Sequence, residues 1–98
     1  MFIVLLNYRK PLAQVDELLE EHQKFLDRHY ASGMFLVSGR KKPRTGGFIL
    51  ATAPSCQALM EILATDPFSR HGIADYEVTE VTALRAAPSL GFLLETSS

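Results

Sequence analysis

Apolar and polar positions follow two rhythms along this chain. Phe2 to Leu6 is an unbroken apolar run that turns polar at Asn7. A run this short reads as a strand buried on both faces, central in its sheet. From Pro11 to Ser32 the rhythm changes. Val15, Leu18, Leu19, Phe25, Leu26 and Tyr30 recur at spacings of three, four and seven, the buried stripe of an amphipathic helix. Pro11 suits the first helical turn, where its missing N–H costs nothing. Asp16, Glu17, Glu20 and Glu21 precede Lys24 and Arg28, an order that complements the helix dipole. Gly33 follows as the C′ residue. One residue breaks the stripe: His22 sits on its apolar face, midway between Leu18 and Leu26.

Met34 to Ser38 reads as a second strand, and Gly46-Gly47 as a turn before a third strand at Phe48 to Thr52. Ser55 is a plain N-cap for a second helix with a core stripe of Leu59, Ile62 and Leu63. Pro67 forbids simple continuation, so that helix ends near Asp66, with a single turn across Phe68 to Gly72. Ile73 to Leu84 alternates imperfectly, is rich in Val and Thr, and reads as a fourth strand. The order is β-α-β-β-α-β, an α+β class: the ferredoxin-like, split-βαβ arrangement, with two helices on one face of a four-stranded antiparallel sheet. This domain spans residues 1–85, and residues 86–98 form a tail carrying Leu90, Phe92, Leu93 and Leu94.

The first and third strands are apolar at both parities, so the face away from the helices also needs cover. A second copy of the chain, sheet against sheet, supplies it. The tail then docks on that partner or closes the core's edge. The expected partners are a second copy through the open sheet face and a small-molecule ligand.

Composition narrows the classes. Ninety-eight residues make one small domain, and 47% hydrophobic with 21% charged residues describes a globular chain. A net charge of −1, with no aromatic interleaving of the basic run at residues 40–44, argues against nucleic acid. No apolar run approaches the ~18 residues of a membrane span. Met1 to Leu6 is too short for the apolar region of a signal peptide and lacks a basic segment before it. Cys56 has no second cysteine to pair with, which fits a reducing compartment and a cytoplasmic protein.

The chain resembles the YciI-like family of the dimeric α/β-barrel superfamily. The resemblance rests on His22-Gln23-Lys24-Phe25-Leu26, on Ala31 through Gly39, and on Gly46-Gly47-Phe48. Asp66-Pro67-Phe68, Gly72 and the last strand complete it, so that it spans roughly residues 1 to 85. It implies a small dimeric protein with a catalytic His and Asp, which fall here on His22 and Asp66. The chain departs from the family pattern at Arg40, where proline often follows Ser-Gly, and in the basic run after it.

Each candidate has a second, plainer role. A carboxylate beside imidazole fixes the tautomer and frees the other nitrogen for acid/base work. His22 can equally be a core-edge histidine bonded to a backbone carbonyl. Asp66 can cap the turn that begins at Pro67. Arg40 and Ser38, at the end of the second strand, are candidate substrate contacts, while Lys41, Lys42 and Arg44 read as a solvated hairpin end. Phe68 either walls the pocket or anchors the core, and Tyr76 reads as a sheet residue. Cys56, near a helix N-terminus, reads as a buried, inert apolar residue. His29 lies about 10 Å along the helix from His22, too far to share a metal, and no cluster has metal-ligand spacing. The leading function is a small cofactor-independent enzyme. It would use a His22–Asp66 dyad for isomerisation or elimination on a small metabolite. The alternative is a dimeric module that binds a small ligand without catalysis.

Overall fold

The computed structural model describes residues 1–94. Strand β1 (Phe2–Tyr8) is followed by helices α1 (Leu12–Glu17) and α2 (Leu19–Ala31), then by strands β2 (Phe35–Arg40) and β3 (Gly46–Ala51). Helices α3 (Cys56–Leu63) and α4 (Pro67–Arg70) lead to strand β4 (Ala74–Glu80), and a 3₁₀ segment covers Pro88–Leu93. The strands form one antiparallel sheet in the order β2-β3-β1-β4. The continuous apolar strand, β1, is therefore internal, as its two-sided pattern predicts.

The long first helix is divided. Leu18 leaves helical geometry (φ −106°, ψ 3°), and its N–H reaches only to the carbonyl of Val15. The α-helical ladder restarts with the His22 N–H on the Leu18 carbonyl at 2.9 Å. The expected stripe is buried at Val15 and Phe25 and partly buried at Leu18, Leu19 and Leu26. Tyr30, expected on that face, is 38% exposed and lies at the helix edge. Pro11 stands one residue before the helix, and Gly33 takes the left-handed conformation at its end (φ 82°). The glutamates at 20 and 21 open α2, and Arg28 and His29 close it.

Register separates the two sheet faces. Phe2 lies opposite Ala51, and Val4 opposite Ile49, with Val78 across from Val4 on the other side. These side chains, with Leu6 and Phe35, point to the helices and join Val15, Phe25, Leu59 and Leu63 in the core. Burial of this apolar surface is the dominant stabilising term, at about 25 cal/mol per Å². The opposite face carries Ile3, Leu5, Val37 and Leu50. Ile3 is 39% and Val37 43% exposed, so this apolar face lies bare in the single chain.

Two boundaries differ from expectation. Strand β3 begins at Gly46, because both glycines pair with β1 rather than turn: Gly46 lies opposite Asn7 and Gly47 opposite Leu6. Strand β4 stops at Glu80 instead of Leu84. Its partner β1 starts at Phe2, opposite Glu80, and beyond that pair Val81 meets Met1, donating its N–H to the Met1 carbonyl at 2.8 Å and accepting from the Met1 amino group at 3.2 Å. Among the described tail residues, Leu90 and Phe92 do not close the core's edge: they are 45% and 71% exposed. Tail residues 95–98 lie outside the described residues. Cys56 is exposed, contrary to its expected burial. It is the first residue of α3, and the buried stripe of that helix runs through Leu59 and Leu63 instead.

Candidate functional site

Asp66 is fully buried and is the only carboxylate in the interior among the described residues. A buried charge must be paired or hydrogen-bonded, and this one has three donors. Oδ1 accepts from His22 Nδ1 at 2.8 Å and from the Phe68 N–H at 3.0 Å. Oδ2 accepts from the Tyr76 hydroxyl at 2.5 Å. Asp66 thus caps α4, with Pro67 at the first helical position, and also meets the imidazole. The two roles foreseen for it coexist on one oxygen. Pro67 forces Asp66 into extended backbone (φ −63°, ψ 131°), which ends the preceding helix and aims the carboxylate inward.

His22 does not bond a backbone carbonyl through its ring. With Nδ1–H donating to Asp66, Nε2 holds the free lone pair. Nε2 makes no hydrogen bond among the described residues, yet no buried side-chain nitrogen is unsatisfied, so Nε2 is open to solvent. The side chain is 11% exposed, and the ring lies on the wall of a cavity of about 220 Å³. Phe68 is the ring's other support. Its centroid lies 4.0 Å from that of His22 with the planes 4° apart, and it is itself buried. Phe68 therefore serves as core anchor and as backing to the cavity wall at once.

The cavity lies between α2 and the helix-facing side of the sheet. Leu19, Gln23 and Leu26 line it from the helix, and Leu6 and Ile49 from the sheet. Gly47 makes its floor. In the row Arg40–Gly47–Leu6, any side chain at Gly47 would fill the space. A Cβ there would also sit 2.6 Å from the Gly39 carbonyl oxygen.

Ser38 and Arg40 share the helix-facing parity of β2 and line this cavity. The Ser38 hydroxyl bonds the Tyr30 hydroxyl at 2.6 Å, which fixes it at the cavity's far side. The basic run divides. Lys41 bonds Asn7 on the opposite sheet face, and Lys42 is exposed. Arg44 is not simply a solvated hairpin end: it lines the cavity beside Arg40 and pairs with Asp16 of α1 at 2.5 Å. The bond to Asp16 raises its pKa further above the ordinary arginine range, with Tyr8 contributing.

Sequence reasoning missed Tyr76 and Tyr8. Tyr76 faces the helices opposite Leu6, and burial, with the Asp66 charge and hydrogen bond, pushes its phenol well above the usual tyrosine range. It is a permanent donor to Asp66. The parity of β4 was the available signal, since a tyrosine in phase with Ala74 and Val78 points inward. Tyr8 lines the cavity and meets Phe68 edge-on at 6.1 Å. His29 packs against Phe25 and Phe35, away from the cavity lining, and burial beside Arg28 lowers its pKa. No group of three His, Cys, Asp or Glu that could hold a metal occurs among the described residues.

With this geometry in hand, comparison with known proteins defines the class. The sheet order and the paired helices are those of the ferredoxin-like α+β fold. The chain belongs to the YCII-related domain family, whose profile matches residues 1–82. Its fold is similar to that of the 5-chloro-2-hydroxyhydroquinone dehydrochlorinase of Burkholderia phenoliruptrix, solved in complex with 2,5-dihydroxybenzoquinone. That match has a TM-score of 0.71 and 20% identity, and covers 84% of this chain and 94% of that one. Muconolactone isomerase is similar at a TM-score of 0.72 and 19% identity, covering 89% of this chain and 93% of the other. No functionally curated protein matches it in sequence.

Proposed function

We propose that the protein is a small enzyme in which His22 Nε2 exchanges a proton with a metabolite held in the 220 Å³ cavity. The observation that carries this reading is the orientation of one ring. Nδ1 is committed to Asp66 at 2.8 Å, and Nε2 faces open space with its lone pair free. Asp66 holds the tautomer and stabilises the imidazolium that forms on proton abstraction. Tyr76, which stays protonated, holds Asp66. Ser38 and Arg40 contact the substrate, and Phe68 keeps the imidazole plane fixed from behind. Proton removal followed by return at another carbon, or by loss of a leaving group, needs no redox partner. Isomerisation or elimination is therefore the reaction class, and the chemistry requires no cofactor. The similar folds of a dehydrochlorinase and an isomerase support that class.

The working unit is a homodimer formed through the open sheet face, where Ile3 and Val37 stand exposed. The apolar tail from residue 86 docks on the partner copy. No helix among the described residues is long and apolar enough to cross a membrane. We place the protein in the cytoplasm, where an exposed thiol such as Cys56 stays reduced.

The second reading, a ligand-binding module without turnover, is favoured by Asp66 itself. Its cap on α4 and its bond to Tyr76 are structural tasks it would perform in any case. A screen of small lactones, enols and halogenated ring compounds against wild type, His22→Ala and Asp66→Asn separates the two. Turnover lost in both variants supports acid/base chemistry. Turnover retained in both removes the His22–Asp66 chemistry, and ligand binding with no turnover of any bound compound supports the module.

A further inference from the structure

The cavity wall carries charge of one sign. Arg40 and Arg44 line it, and no carboxylate does. Asp66 lies behind the His22 ring, and Asp16 meets Arg44 from the solvent side: its side chain is 52% exposed, against 26% for Arg44. The rest of the lining is mainly apolar, from Leu6, Leu19, Leu26 and Ile49. A cavity of about 220 Å³ holds one six-membered ring with its substituents, since a ~150 Å³ cavity already holds benzene.

Arg44 is also held in place. Its loop is tied to the end of β1 by the Tyr8 N–H on the Thr45 carbonyl at 2.9 Å. It is closed on itself by the Thr45 N–H on the Pro43 carbonyl at 2.8 Å. A guanidinium fixed in this way loses less entropy on meeting an anion, and its planar fork matches a carboxylate.

Resting on the reading of this cavity as the substrate site, we infer that Arg44, with Arg40, forms an anion-recognition end. The substrate is then a single-ring-sized organic anion whose carboxylate lies between the two guanidinium groups while its apolar body reaches towards His22. Asp16 is the competitor in this arrangement. Its carboxylate occupies part of the Arg44 fork in the empty protein and yields it, or shares it, when substrate enters. The side chain at 16 therefore sets affinity without touching the substrate.

The test is direct binding of benzoate, measured by calorimetry against its neutral isostere benzamide, at low and high salt. Benzoate should bind wild type at least tenfold tighter than benzamide and weaken as salt rises. Arg44→Gln should lose that preference. Asp16→Asn, a substitution on an exposed helix surface, should bind benzoate two- to fivefold tighter. Equal affinity for the two probes in wild type overturns the inference. So does an Arg44→Gln protein that keeps the preference. If Arg44→Gln does not fold, the wild-type comparison and Asp16→Asn decide, and unchanged or weaker benzoate binding by Asp16→Asn overturns the competitor role. Benzoate is not turned over, so this outcome is independent of the acid/base chemistry. Tight benzoate binding beside an active His22→Ala protein would remove the proton transfer alone. Equal probe affinities beside a His22-dependent turnover would remove the anion end alone.

Discussion

His22 and Phe68 stand face to face, their ring centroids 4.0 Å apart and their planes 4° from parallel. Both hang from the same oxygen. Asp66 Oδ1 holds His22 through Nδ1 and Phe68 through its backbone N–H. One buried carboxylate thus sets the imidazole's tautomer, its in-plane direction and the position of the ring that backs it. The negative face of Phe68 also favours the imidazolium that proton abstraction creates, by about 1 kcal/mol.

That relationship predicts the effect of Phe68→Leu. The substitution keeps most of the apolar volume and leaves the backbone N–H on Asp66, but it removes the flat backing. The expected result is a protein destabilised by about 1–2 kcal/mol in urea unfolding with kcat several-fold lower at unchanged KM. An equal loss in KM alone would mean that Phe68 contacts substrate rather than supporting His22.

Asp66→Asn should act more severely. Asn has one acceptor oxygen where Asp66 serves donors on two, so at least one of His22, Phe68 or Tyr76 loses its partner. A buried donor left unsatisfied costs ~1–3 kcal/mol. Thermal unfolding should show that loss, and kcat should fall by two orders of magnitude or more because Nδ1–H is no longer enforced. A variant of wild-type stability and activity would dismiss Asp66 from both roles.

Much of this is legible in the sequence alone. Asp66-Pro67 announces an N-cap and N1 pair, and a histidine on an apolar stripe announces a buried partner, so the two ends of the pair could be named from local rules. Tyr76 could not be paired with Asp66, because their meeting depends on strand parity and on the way α4 packs over β4. Arg44 was misread for a similar reason. A basic hairpin end looks solvated in sequence, and only the curl of the loop back towards α1 brings Asp16 to it. Gly46 and Gly47 look like a turn because glycine breaks strands. Here Gly46 meets the Leu6 carbonyl so closely that a Cβ would sit 1.8 Å from its oxygen, so the glycines serve close strand approach instead.

Tyr76 gives a pH prediction. Burial and the Asp66 charge raise its pKa in the folded state above the ~10 of an unfolded tyrosine. Above that value the unfolded chain loses this proton and the native protein keeps it, so stability falls as pH rises. The contribution is fully present below pH ~10 and declines above it by ~1.4 kcal/mol per pH unit. In Tyr76→Phe that component is absent. Urea unfolding at pH 9, 10 and 11 should therefore show wild type declining more steeply than the variant. Parallel curves would mean that Tyr76 ionises normally in the fold.

Gly47→Ala tests the cavity floor. The added methyl meets the Gly39 carbonyl oxygen at 2.6 Å, and backbone cannot swing aside as a side chain can. Overpacking of this kind costs ~1–3 kcal/mol. The methyl also enters the row between Arg40 and Leu6, so any compound that binds wild type in the cavity should bind at least tenfold more weakly. Chemical denaturation and calorimetry read the two effects separately. Unaltered binding in a destabilised variant would place the ligand elsewhere.

The open sheet face makes the last prediction. Ile3 lies on the internal strand β1 and Val37 on the edge strand β2, both on the side away from the helices. Each is more than one third exposed in the single chain, at 39% and 43%, so a charge at either position costs the monomer little. In a dimer packed sheet against sheet, a lysine there would be buried without a partner, at a cost of several kcal/mol per interface. Because a two-fold interface presents each residue twice, one substitution places two such charges. Sedimentation equilibrium should find wild type dimeric, and Ile3→Lys and Val37→Lys monomeric with unchanged circular dichroism. Dimers that survive both substitutions would exclude this face as the interface and leave its apolar side chains to another partner.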